Sequence, residues 1–140
     1  MKKSNLNIDK LIPHSRNPRK NEEAIVPVMK SIEEHGFINP IIIDENNVVL
    51  AGHSRLEAAK RLELKKVPCI KVSHLSEEQK LSYLLADNKT GEYAEYNRDL
   101  LGEILKDLEE SEFNMEATGF KPEEVDALIE FCNKLGVKAS

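Results

Sequence analysis

The chain has 140 residues, a formal net charge of -5, 40% hydrophobic and 32% charged residues, 5% aromatics and no tryptophan. That is enough for one compact core with a helical appendage. No apolar run reaches the roughly 18 residues a bilayer span needs, and the acid excess argues against a dedicated nucleic-acid binder, which needs clustered Lys and Arg. Cys69 and Cys132 lie in apolar runs without CxxC or metal-like spacing, so a reducing, cytoplasmic setting is expected, with no structural metal and no membrane partner.

Residues 8–12, partly apolar and stopped by Pro13, predict a strand. The loop His14-Ser15-Arg16-Asn17-Pro18-Arg19-Lys20-Asn21 sets two arginines, a lysine and a histidine among turn residues. A solvated loop is its ordinary reading and a phosphate-facing loop the functional one. Asn21 can cap a helix over 22–35, with Glu22 and Glu23 in the first turn, Gly36 as its stop and Ile25, Val28, Met29 and Ile32 as a core stripe. Pro27 sits awkwardly inside that span. Residues 41–43 and 48–51 predict two strands joined by the polar turn Asp44-Glu45-Asn46-Asn47, a hairpin.

The second of these strands, Val48-Val49-Leu50-Ala51, stops at Gly52, and the helix formers of His53-Ser54-Arg55-Leu56-Glu57-Ala58-Ala59-Lys60-Arg61 follow at once. A strand thus feeds a helix through a tight glycine turn. Such a junction aims free N–H groups and the positive end of the helix dipole beyond the strand, where phosphates are natural guests. Arg55, in the first turn, can add a bidentate charge-assisted contact. The helix fades at 62–64. Residues 67–72 predict another strand, with Pro68 marking an edge or a strand entry. Ser76-Glu77-Glu78-Gln79 is a capping box, opening a helix that ends in the polar segment 86–91, with Gly91 as the break. Helices over about 99–110 and 122–135 follow, the latter opened by Pro122. Mixed elements first and helices only afterwards indicate an α+β domain over 1–92 and a helical extension over 93–140.

Several chemistries are excluded by spacing. Ser54 beside His53 lies about 100° round a helix and forms no nucleophile–base pair. His14, His35, His53 and His74 are scattered without HExxH or His/Cys pairing. Neither GxxxxGK[ST] nor GxGxxG occurs. A nucleotide can still be held if Arg16 and Arg19, the Gly52-His53-Ser54-Arg55 turn and Asp87-Asn88 converge, with Asp87 on Mg2+ and Asn88 on a phosphate oxygen.

The ordered set Asn17-Pro18-Arg19, Gly36-Phe37, Pro40-Ile41-Ile42-Ile43, Gly52-His53-Ser54-Arg55 with Leu56-Glu57-Ala58-Ala59, and Val67-Pro68 resembles the ParB/sulfiredoxin superfamily, specifically the ParB N-terminal-like domain, over about residues 6–90. Leu85-Ala86-Asp87-Asn88-Lys89-Thr90 and Thr118-Gly119-Phe120 resemble ParB-like domains of phages and mobile elements, often joined to or beside DNA methyltransferases. The resemblance implies an α+β nucleotide-binding fold with a small mixed sheet. It places Gly52 and Arg55 at the Gly-x-x-Arg turn that holds the triphosphate of CTP, Asn17 and Arg19 in the basic Asn-Pro loop, and Asp87-Asn88 at an acid–Asn pair for phosphate and Mg2+. The chain departs from the pattern at His53-Ser54, where partition proteins carry Glu-Arg. His53 also replaces the cysteine of sulfiredoxins, which rules out peroxiredoxin repair, and Ala51 replaces the Asp of serine-phosphorylating members. No helix-turn-helix is evident after Asn88.

The expected function is a nucleotide- or phosphate-binding module acting in DNA partition, DNA modification or transcriptional regulation. Its ligand would be CTP, ATP or ADP with Mg2+, held by Arg16, Asn17, Arg19, Gly52, His53, Ser54, Arg55 and Asn88, with Asp87 on the metal. One alternative is an enzyme, a phosphotransferase of the free-serine-kinase kind or a nuclease, with His53 and Glu33 as the candidate catalytic groups. Another is a protein adaptor for a DNA methyltransferase. The acids Glu103, Asp107, Glu109, Glu110, Glu112 and Glu116 suit a basic protein partner better than DNA, whose contact would be weak or indirect. The oligomeric state is left open, with a dimer among the options.

Overall fold

The computed structural model of the chain describes residues 2–17, 22–92 and 96–134, and the side chains of these except at 88–92. The chain divides into two compact units, Met1–Tyr93 and Ala94–Ser140. The first holds a four-stranded sheet of order β1-β4-β2-β3, built from β1 (Lys3–Asn7), β2 (Ile41–Ile43), β3 (Val49–Ala51) and β4 (Lys66–Lys71). β1–β4 and β2–β3 are antiparallel and β2–β4 parallel, so the sheet is mixed and the unit α+β, as the sequence implies. Helices α1 (Glu22–His35), α2 (His53–Arg61) and α3 (Glu77–Glu92) complete it, α1 packing on α2 and α3 on β3.

The three isoleucines of β2 form a strand because branched side chains suit a pleated, buried surface. Ile41 and Ile43 are fully buried with Val49, Leu56, Ala59, Val67 and Cys69 in one core. Ile41 lies opposite Cys69 across the parallel ladder, which fixes β4 in the middle of the sheet. Pro68 marks neither an edge strand nor the strand's entry: it is the third residue of β4, already opposite Asn5 of β1, and stands one residue before the parallel pairing with β2 begins.

The strand expected over 8–12 is displaced. Lys3–Asn7 make the ladder to β4, although only Leu6 among them is even partly buried. The Asn7 side chain then accepts a hydrogen bond from the Asp9 N–H (2.9 Å), turning the chain into one 3-10 turn over Ile8–Lys10. Ile12 keeps a single bridge to the hairpin, donating to Asn47 O (2.9 Å) and accepting from Val49 N (2.8 Å). The helix over 22–35 forms with Pro27 inside it, and its expected cap, Asn21, lies outside the described residues. The capping box at Ser76 is formed in both directions: Ser76 N donates to Gln79 Oε1 (2.8 Å) and Gln79 N to Ser76 Oγ (3.2 Å). α3 continues through Gly91 to Glu92 and does not break there. A glycine inside a helix costs only about 1 kcal/mol, too little to end it.

The second unit pairs α4 (Arg98–Glu110) with α5 (Pro122–Lys134), joined through a 3-10 turn over Met115–Thr118. Asn97 caps α4 by accepting from Leu100 N (3.1 Å). The helices approach closely at Gly102, where a Cβ would lie 2.8 Å from both Cys132 Cβ and the Leu128 carbonyl oxygen. Gly102→Ala sets a helix-propensity gain of about 1 kcal/mol against an overpacking cost of about 1–3 kcal/mol. Because one clashing atom is backbone, the cost wins. Urea unfolding should show a net loss of about 1 kcal/mol, and a gain in stability would mean that the two helices are free to separate. Among the described residues no helix is long and apolar enough to cross a membrane.

Candidate phosphate-binding site at the β3–α2 junction

Gly52 ends β3 in the left-handed region (φ +102°, ψ 26°) and caps α2, its carbonyl accepting from Leu56 N at 2.9 Å. The Arg55 side chain folds back over this glycine, so a Cβ there would stand 3.0–3.3 Å from its guanidinium atoms. Glycine is needed twice, for its φ and for the guanidinium above it. Arg55 Nη2 donates to the Pro40 carbonyl (3.0 Å), while Nε is buried without a hydrogen-bond partner among the described residues. Burial lowers the Arg55 pKa below the usual guanidinium value, and Asp87 and Tyr83 on α3 oppose that shift. The group stays charged at neutral pH. A desolvated cation with an unspent donor is costly unless an anion joins it. Beside it opens a cavity of about 310 Å³, with Val28, Ile32, Phe37 and Ile38 as apolar wall and Ser31 and Asn39 as polar groups.

His53 ties the N-terminal loop to this junction. Its Nε2 accepts the His14 N–H at 3.1 Å, and His14 Nδ1 in turn accepts the Arg16 N–H at 3.0 Å. An accepting Nε2 leaves the His53 ring proton on Nδ1. Burial, then the neighbouring His14, pulls the His53 pKa below 6.5, so the ring is neutral and the bond is kept at neutral pH. A group with a lowered folded pKa contributes fully above its unfolded value and loses that contribution as pH falls through the folded one. The loop contact should therefore fail in acid and hold in base. In an NMR titration the His53 ring and the His14 amide should share one midpoint below 6.5; a midpoint at or above that value would show a solvated ring and no latch.

The loop start through Arg16, the Gly52-to-Arg55 turn and Asp87 are thus joined by contact or field. Arg16 is exposed and lines a second cavity of about 460 Å³ with His14, Asp44 and Lys80. Asn17 N bonds back to the His14 carbonyl (3.2 Å), and Ser54 is half-buried in the first turn of α2. Arg19, with Pro18 and Lys20, and the Asn88 side chain lie outside the described residues. Glu33 is exposed on α1 and makes no hydrogen bond to His53. No group of three or more His, Cys, Asp or Glu among the described residues could hold a metal.

Two features escape the sequence reading. Tyr83 on α3 lies within electrostatic reach of Arg55, and Lys80 is a buried lysine, 3% exposed. Its Nζ lies 2.6 Å from Glu45 Oε1 and 3.1 Å from both Asp44 Oδ2 and Glu77 Oε1. Asp44 Oδ1 accepts from Asn46 N (2.8 Å) and Val48 N (2.9 Å). Burial pushes the Asp44 pKa up, but the Val48 and Asn46 N–H groups and Lys80 outweigh it and hold the carboxyl below 3.8. The Glu45 contact leads the carboxylates that raise Lys80 above its ordinary value. This clamp fixes the first turn of α3 on the hairpin, which sets Tyr83 and Asp87 one and two turns further on.

The mixed sheet, the glycine junction and the arginine folded over it define a small α+β domain with a cationic strand–helix turn. Residues 2–89 match the model of the ParB N-terminal domain, and the chain belongs to that family. Residues 99–139 match the model of the ParB-methyltransferase HTH domain, which corrects the expectation that no helix-turn-helix follows Asn88; the many acids of these helices hide the likeness. The chain is 38% identical over 74 residues to the ParB-like nuclease domain-containing protein YnaK of Escherichia coli K12, covering 52% of this chain and 85% of that protein. It is 34% identical over 85 residues to the Probable chromosome-partitioning protein ParB of Rickettsia felis (59% of this chain, 29% of that protein). It is also 34% identical over 89 residues to the nucleoid occlusion protein of Lysinibacillus sphaericus (59% and 30%). The chain thus spans under a third of the length of these last two. Among solved structures it resembles the C-terminally truncated chromosome-partitioning protein ParB of Caulobacter crescentus complexed with CTP-γ-S, with TM-score 0.74, 24% identity, and 89% of this chain and 75% of that one covered. The same truncated protein complexed to the centromeric parS site gives TM-score 0.50 at 24% identity, covering 90% and 70%. At these identities the likeness is one of fold.

Proposed function

We propose that this chain is a nucleotide-binding ParB-type module serving DNA partition, DNA modification or transcriptional regulation, with the phosphates seated at the β3–α2 junction. The observation that carries this reading is the buried, unpartnered Nε of Arg55 above Gly52. The N–H groups of the first turn of α2 and the Arg55 fork would hold phosphate oxygens. Arg16, Asn17 and Arg19 would close over them from the loop, and Asn88 would reach them from α3. His53 holds that loop in place, and Ser54 would add a hydroxyl. Asp87 would be one ligand of Mg2+, the phosphates supplying others, as is usual for that ion. The Caulobacter relative's CTP-γ-S supports CTP as the first nucleotide to test.

The ParB-methyltransferase HTH match supports a setting beside a DNA methyltransferase; a phage or mobile-element origin and a cytoplasmic location complete this reading. Binding is favoured over phosphotransfer because His53 Nε2 is already occupied by the His14 N–H, and the exposed Glu33 makes no hydrogen bond to it. Calorimetry with CTP, ATP, ADP and GTP, with and without Mg2+, tests the proposal. Saturable heat with at least one of them is expected; no heat with any would overturn it.

A further inference from the structure

Of the large hydrophobic residues that the second unit leaves exposed, Leu100 and Ile104 lie one turn apart on α4, and Tyr96 stands just before its cap. Tyr96, Leu100 and Ile104 are 68%, 53% and 48% exposed. Tyr96 is held in place by an edge-on contact with Phe120, ring centroids 5.7 Å apart, and still faces outward. On α4, Leu100 and Ile104 each have an acid three positions further on, the neighbouring place on a helix surface: Glu103 and Asp107; Asp99 stands in the first turn. Among the described residues none of these acids has a cationic partner. The two bases of α4 are turned to α5, Arg98 over the Phe131 ring (5.8 Å) and Lys106 to Asn133 Oδ1 (3.1 Å). Among the described residues of the second unit, the apolar residues and their acids are therefore left without a counterpart.

We infer that this face of α4 docks a basic amphipathic helix of a partner protein. Charge selects the occupant. DNA is repelled by the acid border, because phosphate contacts need cations. A second copy would set acids against acids. A helix with apolar residues at i, i+4 and i+7 and Lys or Arg beside them answers both parts of the surface, as in helix pairs with flanking ion pairs.

The test uses the full chain and a fluorescein-labelled synthetic helix with leucines at i, i+4 and i+7 flanked by Lys and Arg, against the same composition scrambled so that the stripe is lost. Anisotropy should give saturable binding with the scrambled peptide at least about tenfold weaker, and amide shifts should centre on residues 96–107. Ile104→Lys, at an exposed position, should weaken binding about tenfold, and Glu103→Gln, which keeps the size of that half-buried side chain, should weaken it severalfold, both with circular dichroism unchanged. Equal binding of the two peptides would reduce the effect to general charge attraction and overturn the inference. So would shifts centred elsewhere, the same resonances moving with duplex DNA, or a dimer in sedimentation that Ile104→Lys abolishes.

Discussion

Replacing Arg55 with alanine should lower nucleotide affinity at least about a hundredfold while leaving the thermal midpoint nearly where it was. The guanidinium presents its fork to the junction, and a charge-assisted hydrogen bond contributes roughly 1.5–3 kcal/mol, so two of them account for that loss. Stability is affected differently. Among the described residues Arg55 has one carbonyl partner, Pro40, and an unspent buried Nε. Its desolvation cost offsets much of what its packing contributes. Arg55→Lys should also bind poorly, since a point charge on a flexible stem reproduces neither the fork nor the stacking over Gly52. Gly52→Ala makes the informative contrast. It strains a left-handed backbone by roughly 1–2 kcal/mol and displaces the guanidinium 3.0 Å away, so affinity and stability should fall together. Calorimetry and thermal unfolding in one buffer separate the three variants. An Arg55→Ala protein that binds CTP as tightly as the parent would leave the junction without a phosphate role.

The β3–α2 junction is legible in the sequence because everything that makes it is consecutive: an apolar run, a glycine, then strong helix formers with an arginine in the first turn. The helix over 22–35 and the strand 41–43 are legible for the same reason, each carrying its own period and its own ends. β1 is not. Lys3–Asn7 have little strand propensity and become a strand because β4 offers an unpaired edge more than 60 positions away, as in the pairing of Lys3 with Ile70. The function of His53 depends on a loop 39 positions earlier, so its sequence neighbourhood says only that it follows a glycine. Lys80 is the extreme case. Read along α3 it is a lysine three positions after Glu77, which normally means a solvated pair. Its burial comes from a hairpin turn 35 positions upstream, and no helical period encodes that.

Lys80→Met should lower the thermal midpoint on the order of 10 °C, because removing one member of a buried ion pair leaves the other uncompensated. Methionine keeps the length and apolar stem of the lysine and removes only the charge and its donors. Glu45 and Glu77 lose little, since their side chains are 40% and 84% exposed and water can take over. Asp44 is the carboxylate that matters: its side chain is 5% exposed, and Oδ2 faces the amine. The pH dependence follows from the two shifts. Asp44 is held below 3.8, so its contribution is present above that value and lost as pH falls through its folded value. Lys80 is raised above 10.5, so its contribution is present below that value and lost as pH rises through its own folded value. In the methionine variant Asp44 has no counter-charge, and protonating it becomes favourable. The deficit against the parent should therefore shrink as pH falls toward 4 and below. Asp44→Asn in the same background removes the orphaned charge while its side-chain oxygen still accepts from Asn46 and Val48, and should recover most of the lost midpoint. Nucleotide affinity should fall in the single variant, because the clamp positions the first turn of α3 and with it Asp87 opposite Arg55. A midpoint equal to the parent's at pH 7, or a deficit that does not shrink in acid, would show that the Lys80 cluster is not what anchors this helix.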